Sequence, residues 1–398
     1  MSDVDWSALQ RLESHLEAKH ARGGSQWKET EVLALGAWKY SDTKGTIDLP
    51  TAQQISCTLL KIFTNALTIV TPTFDPLGVC LDPFAALANH SCDPNAVVVM
   101  DGPDLSFRSL KSIAKDEEIF ISYIDVTNPL ARRQKELKER YHFTCACLKC
   151  QKGPTGPEDK FLKPPKKLMK KWATLVDDLT KAGNAPKDDP ANYVGDDIDS
   201  KRMAVLQGMA FSALQIAREA SDPRVTIAGI ENGMRLCYQC GMFPVYRQPY
   251  AQMRHDLFVN MVTVGNFPIA WAQGVKTYFL IDPVLFPQTY HPVRVVHTWT
   301  LAMLTLYIAS EYNGLQFQQS VGSELDLGII IYGLLAEVYG NVQRSHGQSS
   351  SFAKSVQRKF EEVKVDMTRG FPDALRGMEG RVEKHWKLFR QAADWMQY

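Results

Sequence analysis

Three thiols fall within six residues at Cys145-Ala146-Cys147-Leu148-Lys149-Cys150, and this Cys-x-Cys-x-x-Cys run constrains the chain more than any other stretch. Ordinary packing rarely crowds three cysteines into one knuckle of backbone. A tetrahedral zinc site takes three such sulfurs and needs one further ligand from elsewhere. Cys92, in Asn89-His90-Ser91-Cys92-Asp93-Pro94-Asn95, is the first candidate for that ligand, and His142 is its rival. A metal held this way would pin residues 141–150 against the region around Cys92. Structural zinc contributes on the order of 10–16 kcal/mol in small peptides, so a segment too short to fold alone could be ordered by it. The other cysteines read as packing: Cys237 and Cys240 lie on a predicted helix beside apolar residues, and Cys57 and Cys80 show no further pattern.

Eight cysteines in 398 residues suit metal binding in a reducing compartment better than a disulfide framework. The length exceeds what one hydrophobic core usually fills, so more than one domain is expected. A net charge of +1 gives no overall pull toward nucleic acid and argues against direct binding to it. The first residues are acidic where a secretory signal needs positive charge. The longest uncharged stretch, 295–310, is too short to span a bilayer and reads as a buried helix, so no membrane partner is expected.

Periodicity predicts a helix over 5–21 with Trp6, Leu9 and Leu16 on one face, and further helices over 29–40 and 52–67. Strands are expected at 96–100, 105–110 and 118–124, with Asp101-Gly102-Pro103 turning the first into the second. Asn128 is the expected N-cap, and Pro129 the first-turn residue, of a charged helix over 130–141. Residues 154–200, rich in proline, lysine and aspartate, read as a linker around a helix at 168–182. The lysines at 160–171 read as a solvated linker, with a nuclear localisation signal or a nucleic-acid patch as the alternatives. From 201 to 398 the pattern is helical, as in stacked helix pairs. The aromatic-rich segment 243–250 reads as a packed connection between helices, with the lining of a peptide groove between the strand region and the helical domain as the alternative.

Taken in order, the run 89–95, the segment Ile121-Ser122-Tyr123-Ile124-Asp125 and the run Tyr141-His142-Phe143-Thr144-Cys145-Ala146-Cys147-Leu148-Lys149-Cys150 resemble the second half of a SET domain with its post-SET zinc knuckle. The subclass it looks like is the fungal type of SET/MYND (SMYD-like) protein-lysine methyltransferases. The resemblance implies an α+β fold with five parts. These are a helical insertion at 1–54, the C-terminal half of a SET domain at 55–136, a zinc knuckle at 137–153, the linker at 154–200 and an all-α, repeat-like domain at 201–398.

It also implies roles. Asn65, Asn89 and His90, with Tyr141 and Phe143, would bind S-adenosyl-L-methionine, Phe143 packing on the adenine. Tyr123 would be the catalytic tyrosine and Tyr141 its partner, and Leu67 would wall the lysine channel with both. Cys92, Cys145, Cys147 and Cys150 would hold Zn2+. The implied partner is a lysine-containing protein, such as a histone tail, in the nucleus or cytoplasm. Such chemistry needs a neutral amine, and a free lysine with pKa about 10.4 is almost wholly protonated at pH 7. A narrow aromatic channel disfavours the charged form and fixes its approach.

The chain departs from the family in having no Gly-x-Gly strand pair before Asn65 and no cysteine-rich MYND finger. The cofactor pocket is therefore expected to lack one wall, the sheet to expose an edge, and the activity to be impaired. A non-catalytic scaffold that binds partner proteins is the alternative.

Overall fold

The computed structural model of the chain describes residues 3–17, 25–41, 49–163, 166–181, 198–312, 317–318, 322, 324–369 and 373–395. Helices dominate these residues, and strands occur only between Leu67 and Ile121. No helix among them is long and apolar enough to cross a membrane.

The chain begins with α1 (Asp3–Arg11), α2 (Ser25–Tyr40) and α3 (Leu49–Asn65). The single helix expected over 5–21 is interrupted after Arg11. There the Glu13 carboxylate accepts from the N–H groups of Ser14 (2.9 Å) and His15 (2.8 Å), a local alternative to helical pairing. His15 takes a left-handed φ of 51°. Leu9 is buried as expected, but Trp6 is 42% exposed. Residues 18–21 of the expected helix lie outside the described residues. The segment is tied to α3, where Lys61 donates to the Gln10 carbonyl and Asn65 Nδ2 to the Glu13 carbonyl at 2.8 Å.

Three two-stranded sheets follow. Antiparallel β1 (Leu67–Val70) and β2 (Pro76–Cys80) pair Leu67 with Cys80, and β2 leaves Leu77 and Val79 exposed. The two-residue strand β3 (Asn89–His90) lies parallel to β6 (Phe120–Ile121), and β4 (Ala96–Asp101) pairs with β5 (Asp104–Ser109) through a turn in which Gly102 has φ 61°. The strand expected over 118–124 shrinks to Phe120–Ile121 because side chains of the 89–95 run satisfy its backbone. Asn95 Oδ1 accepts from the Phe120 N–H (2.8 Å), Asn95 Nδ2 donates to the Glu118 carbonyl (2.9 Å), and His90 Nδ1 accepts from the Tyr123 N–H (3.0 Å).

Helix α4 (Leu130–Arg140) is not capped by Asn128. Its first N–H, that of Leu130, donates to Asp159 Oδ1 at 2.8 Å, from a one-turn 3-10 helix at Pro157–Asp159. The stretch read as linker is therefore anchored at 157–161. Glu158 is 4% exposed and accepts from Arg133 (3.1 Å), on α4, and from Lys149 (2.8 Å), on the short helix α5 (Leu148–Gln151). Its carbonyl accepts from Arg247 Nη1 at 2.7 Å. Arg247 is itself buried, with its guanidinium 3.6 Å from the Phe161 ring centroid and bonded to Gln207.

The rest is helical: α6 (Lys166–Lys181), α7 (Ile198–Arg218), α8 (Pro223–Gln239), α9 (Tyr250–Thr263) and α10 (Phe267–Lys276). The last runs through a π turn, Thr277–Ile281, into α11 (Asp282–Leu285). Then come α12 (Pro292–Ser310), α13 (Leu327–His346), α14 (Ser351–Thr368) and α15 (Met378–Gln391). Helices α7 to α10 pack successively on one another, and α13 packs on α12, α14 and α15. The uncharged run is α12, buried through Val295, Leu301, Ala302 and Ile308. Cys237 and Cys240 are core residues at 0% exposure. Gly333 permits the approach of α15, since a Cβ there would lie 2.5 Å from the Trp386 ring.

The strand region sits directly on these helices. Tyr290 donates to the Leu110 carbonyl (2.9 Å), Gln248 to Thr127 (2.8 Å), and Arg108 to the Gln343 carbonyl (2.9 Å). His346 Nε2 donates to the Pro72 carbonyl at 3.0 Å, while Nδ1 accepts from Ser345 at 2.9 Å. Burial pushes its pKa down to about 4. The unfolded chain, with a histidine pKa near 6.5, takes up a proton first as pH falls, so stability drops between about pH 6.5 and 4. The expected slope from this group is about 1.4 kcal/mol per pH unit over that window. Denaturant titrations at stepped pH check this, with His346→Asn flattening the slope. An equal slope in that variant would clear His346 of the role.

Candidate functional site

The four thiols converge. The sulfurs of Cys92, Cys145, Cys147 and Cys150 all lie within 4.8 Å of one another, and His142 is not among them. Sulfurs about 2.3 Å from a shared tetrahedral zinc would stand roughly 3.8 Å apart, so the observed cluster fits such an ion after a small contraction. Cys92 is brought in by the loop after β3, and the other three by the chain from α4 into α5. The Cys145 N–H donates to Gln134 Oε1 (2.9 Å), while Gln134 Nε2 donates back to the Cys145 carbonyl (2.8 Å), which fixes the entry of the knuckle on α4. Burial pushes the Cys92 thiol well up and Cys150 to about 11. At Cys147 burial acts the same way, but hydrogen bonds from the Cys150 and Cys92 N–H groups and from Cys145 and Ser91 bring it down to about 7. Arg133, 1% exposed, places its positive charge beside Cys92 and Cys150, where a tetrathiolate centre would carry excess negative charge.

The aromatic residues pack on the same cluster. A cavity of about 570 Å³ beside it is lined by Asn65, Leu67, Asn89, Tyr123, Tyr141 and Phe143, all of them residues picked out in the sequence. The Tyr123 and Tyr141 rings lie 4.9 Å apart. Tyr123 donates its hydroxyl proton to the Ala88 carbonyl (2.7 Å), so the oxygen's lone pairs are left to accept, and Tyr141 donates to the Tyr123 carbonyl (3.2 Å). Burial raises both phenols above their usual pKa, so both remain neutral at physiological pH. Asn89 is exposed and donates to Glu118 (2.7 Å). Asn65 is committed through Nδ2 to the carbonyls of Glu13 and Lys61.

His90 does not line this cavity. Its buried ring lies behind Tyr123 and Phe143, at 5.3 and 5.9 Å. Nδ1 accepts from the Tyr123 N–H, so Nε2 carries the proton and directs it at Cys92 Sγ, 3.3 Å away. The imidazole thereby joins the thiol cluster to the backbone of Tyr123.

Sequence reasoning missed two contributors. Asn95 substitutes for strand pairing under Tyr123, and residues 11–13 with His15 line part of the cavity, a segment the motifs did not indicate. The His15 ring meets His142 at 4.9 Å, and His142 adopts φ 60° to turn the chain toward Phe143. The only sequence signal was the position of Asn95 at the end of the 89–95 run. Nothing marked 11–15.

Residues 15–124 match the SET domain, so the chain is a SET-domain protein. It is 36% identical over 150 residues to the SET domain and MYND-type zinc finger protein 6 of Schizosaccharomyces pombe, covering 38% of this chain and 30% of that protein. It is 38% identical over 120 residues to the histone-lysine N-methyltransferase SMYD3 of Homo sapiens, covering 30% and 28%. With the histone-lysine N-methyltransferase ASHR1 of Arabidopsis thaliana it shares 40% identity over 321 residues, covering 79% and 62%. Within the SET class the chain belongs to the SMYD-like proteins. It spans less than a third of the length of the first two relatives and under two thirds of the third.

Proposed function

We infer that the chain is an S-adenosyl-L-methionine-dependent protein-lysine N-methyltransferase. The observation that carries this reading is the single cavity in which Asn65, Leu67, Asn89, Tyr123, Tyr141 and Phe143 meet beside a four-cysteine centre. The methyltransferase names of SMYD3 and ASHR1 point the same way. Asn65, Asn89 and the Phe143 ring would hold S-adenosyl-L-methionine, which supplies an electrophilic methyl group when bound. The His90 side chain would act from behind, as a positioning residue. Zn2+ at Cys92, Cys145, Cys147 and Cys150 would be structural, fixing Tyr141 and Phe143 over the cavity.

The residues present have definite tasks in such a reaction. Leu67, Tyr123 and Tyr141 surround the acceptor amine and, by excluding water, favour its neutral form. The Tyr123 oxygen, with its proton committed to Ala88, accepts an N–H from that amine and aims the nitrogen lone pair. Neither phenol needs to ionise. The acceptor would be a protein lysine, with histone tails as a substrate class, encountered in the nucleus or the cytoplasm.

Incubation of the purified protein with methyl-labelled cofactor and histone or extract protein tests this, with label expected on lysine. Cofactor binding without any transfer, or no binding at all, would favour the scaffold reading instead. His90→Ala is expected to lower turnover about tenfold or more and to shift the sulfur-to-metal charge-transfer band of cobalt-loaded protein. A removed second-sphere partner at a metal ligand typically costs 10–100-fold. An unchanged band and unchanged turnover would take His90 out of the assembly.

A further inference from the structure

Among the described residues that line the Tyr123 cavity, the carboxylate and guanidinium side chains are those of Arg11, Glu13 and Arg140. Two of the three are matched within the chain. The Glu13 carboxylate accepts from the His15 N–H and the Ser14 N–H, which hold its pKa below the usual carboxylate range. Arg140 pairs through Nη1 with Glu136 at 2.8 Å, one turn back on α4. Arg11 differs. Its Nε donates to the Ser7 carbonyl at 3.3 Å, one turn back on α1, and its two terminal nitrogens meet no acceptor among the described residues.

The break in the first helix sets where Arg11 stands. Helix α1 ends at Arg11, and Glu13 bonds to the backbone just beyond it in place of a further helical turn. The chain on both sides is then tied to α3, since Lys61 donates to the Gln10 carbonyl and Asn65 Nδ2 to the Glu13 carbonyl at 2.8 Å. The guanidinium therefore springs from a fixed backbone close to Asn65, another residue of the lining. Its outer edge offers two parallel N–H donors, the fork that matches a carboxylate. S-adenosyl-L-methionine carries a single anionic group, the carboxylate of its amino-acid end. One unmatched cation thus faces a ligand with one anion.

We propose that Arg11 binds the carboxylate at the amino-acid end of the cofactor, and so selects sulfonium nucleosides that carry this group over those that lack it. The identity of the ligand rests on the methyltransferase reading. Arg11 adds to it an anchor from a segment outside the runs 89–95, 121–125 and 141–150. S-adenosyl-L-homocysteine, left once the methyl group has gone, keeps the same carboxylate. Arg11 therefore holds cofactor and product alike, which is uniform binding: its loss raises KM for the cofactor and leaves kcat unchanged.

Calorimetry on the purified full chain tests this with two pairs of ligands. S-adenosyl-L-methionine and S-adenosyl-L-homocysteine carry the carboxylate, whereas decarboxylated S-adenosylmethionine and methylthioadenosine do not. The unaltered protein is expected to prefer the first pair. Arg11→Gln should weaken that pair about tenfold, the low end for a hydrogen bond to a charged group, and leave the second pair within about twofold. Arg11→Lys keeps the charge without the fork and should fall between. Arg11 is exposed, so neither change disturbs the core. Equal weakening of all four ligands, or an undiminished preference in Arg11→Gln, overturns the proposal, as does a preference lost in Arg140→Gln alone. The expected pattern of binding without methyl transfer would uphold Arg11 and refute the enzyme reading. Transfer with affinities indifferent to Arg11 would do the reverse, and failure of all four ligands to bind would refute both.

Discussion

Stripping the metal from the purified protein is expected to release residues 141–151 from the strand region and to abolish methyl transfer. The knuckle has little apolar surface of its own, and Leu148 is 74% exposed. Its order depends on four sulfurs that lie within 4.8 Å of one another and on Glu158 below. Structural zinc contributes on the order of 10 kcal/mol to small folds at neutral pH, far more than the neighbouring hydrogen bonds could replace. Elemental analysis should find one zinc per chain. Hydrogen exchange after chelation should show protection lost first at 141–151 and then at Tyr123, through His90. Cys92→Ser should reproduce the effect. A metal-free preparation with full protection at these amides would refute the centre.

The second large effect is expected from Tyr123→Phe. This change deletes one oxygen and takes the donor from the carbonyl of Ala88, a half-buried residue. The ring would keep its place between His90 and Tyr141, so cofactor affinity should change little. Turnover should fall about 100-fold, as misplacement of a reacting group commonly costs. Tyr141→Phe should cost less, because its hydroxyl only buttresses the Tyr123 carbonyl at 3.2 Å. A Tyr123→Phe protein within threefold of normal turnover would mean that the amine is oriented by another group.

The site was legible in the sequence to the extent that its chemistry is local. Cys145, Cys147 and Cys150 lie on one knuckle, and their spacing allows few alternatives to a metal. Tyr141 and Phe143 adjoin that knuckle and had to follow it. Asn95 was not legible, because a side chain that replaces strand pairing across 25 residues leaves no periodic trace. The break of the first helix at Glu13 was hidden by an apolar spacing that continued past it. Residues 157–161 read as solvated linker because proline, glutamate and lysine usually are. Only the fold reveals that Arg133, Lys149 and Arg247 surround them. The cavity between the β1–β2 turn and α12 was beyond reach altogether, since its walls come from residues as far apart as Asp75 and Met303.

Glu158 has a thermodynamic consequence. Its carboxylate answers to α4 and to the cysteine knuckle, while its backbone oxygen answers to Arg247 among the helices, so neither half can come apart without stranding charge in the other. The two halves should therefore melt together, as one calorimetric endotherm.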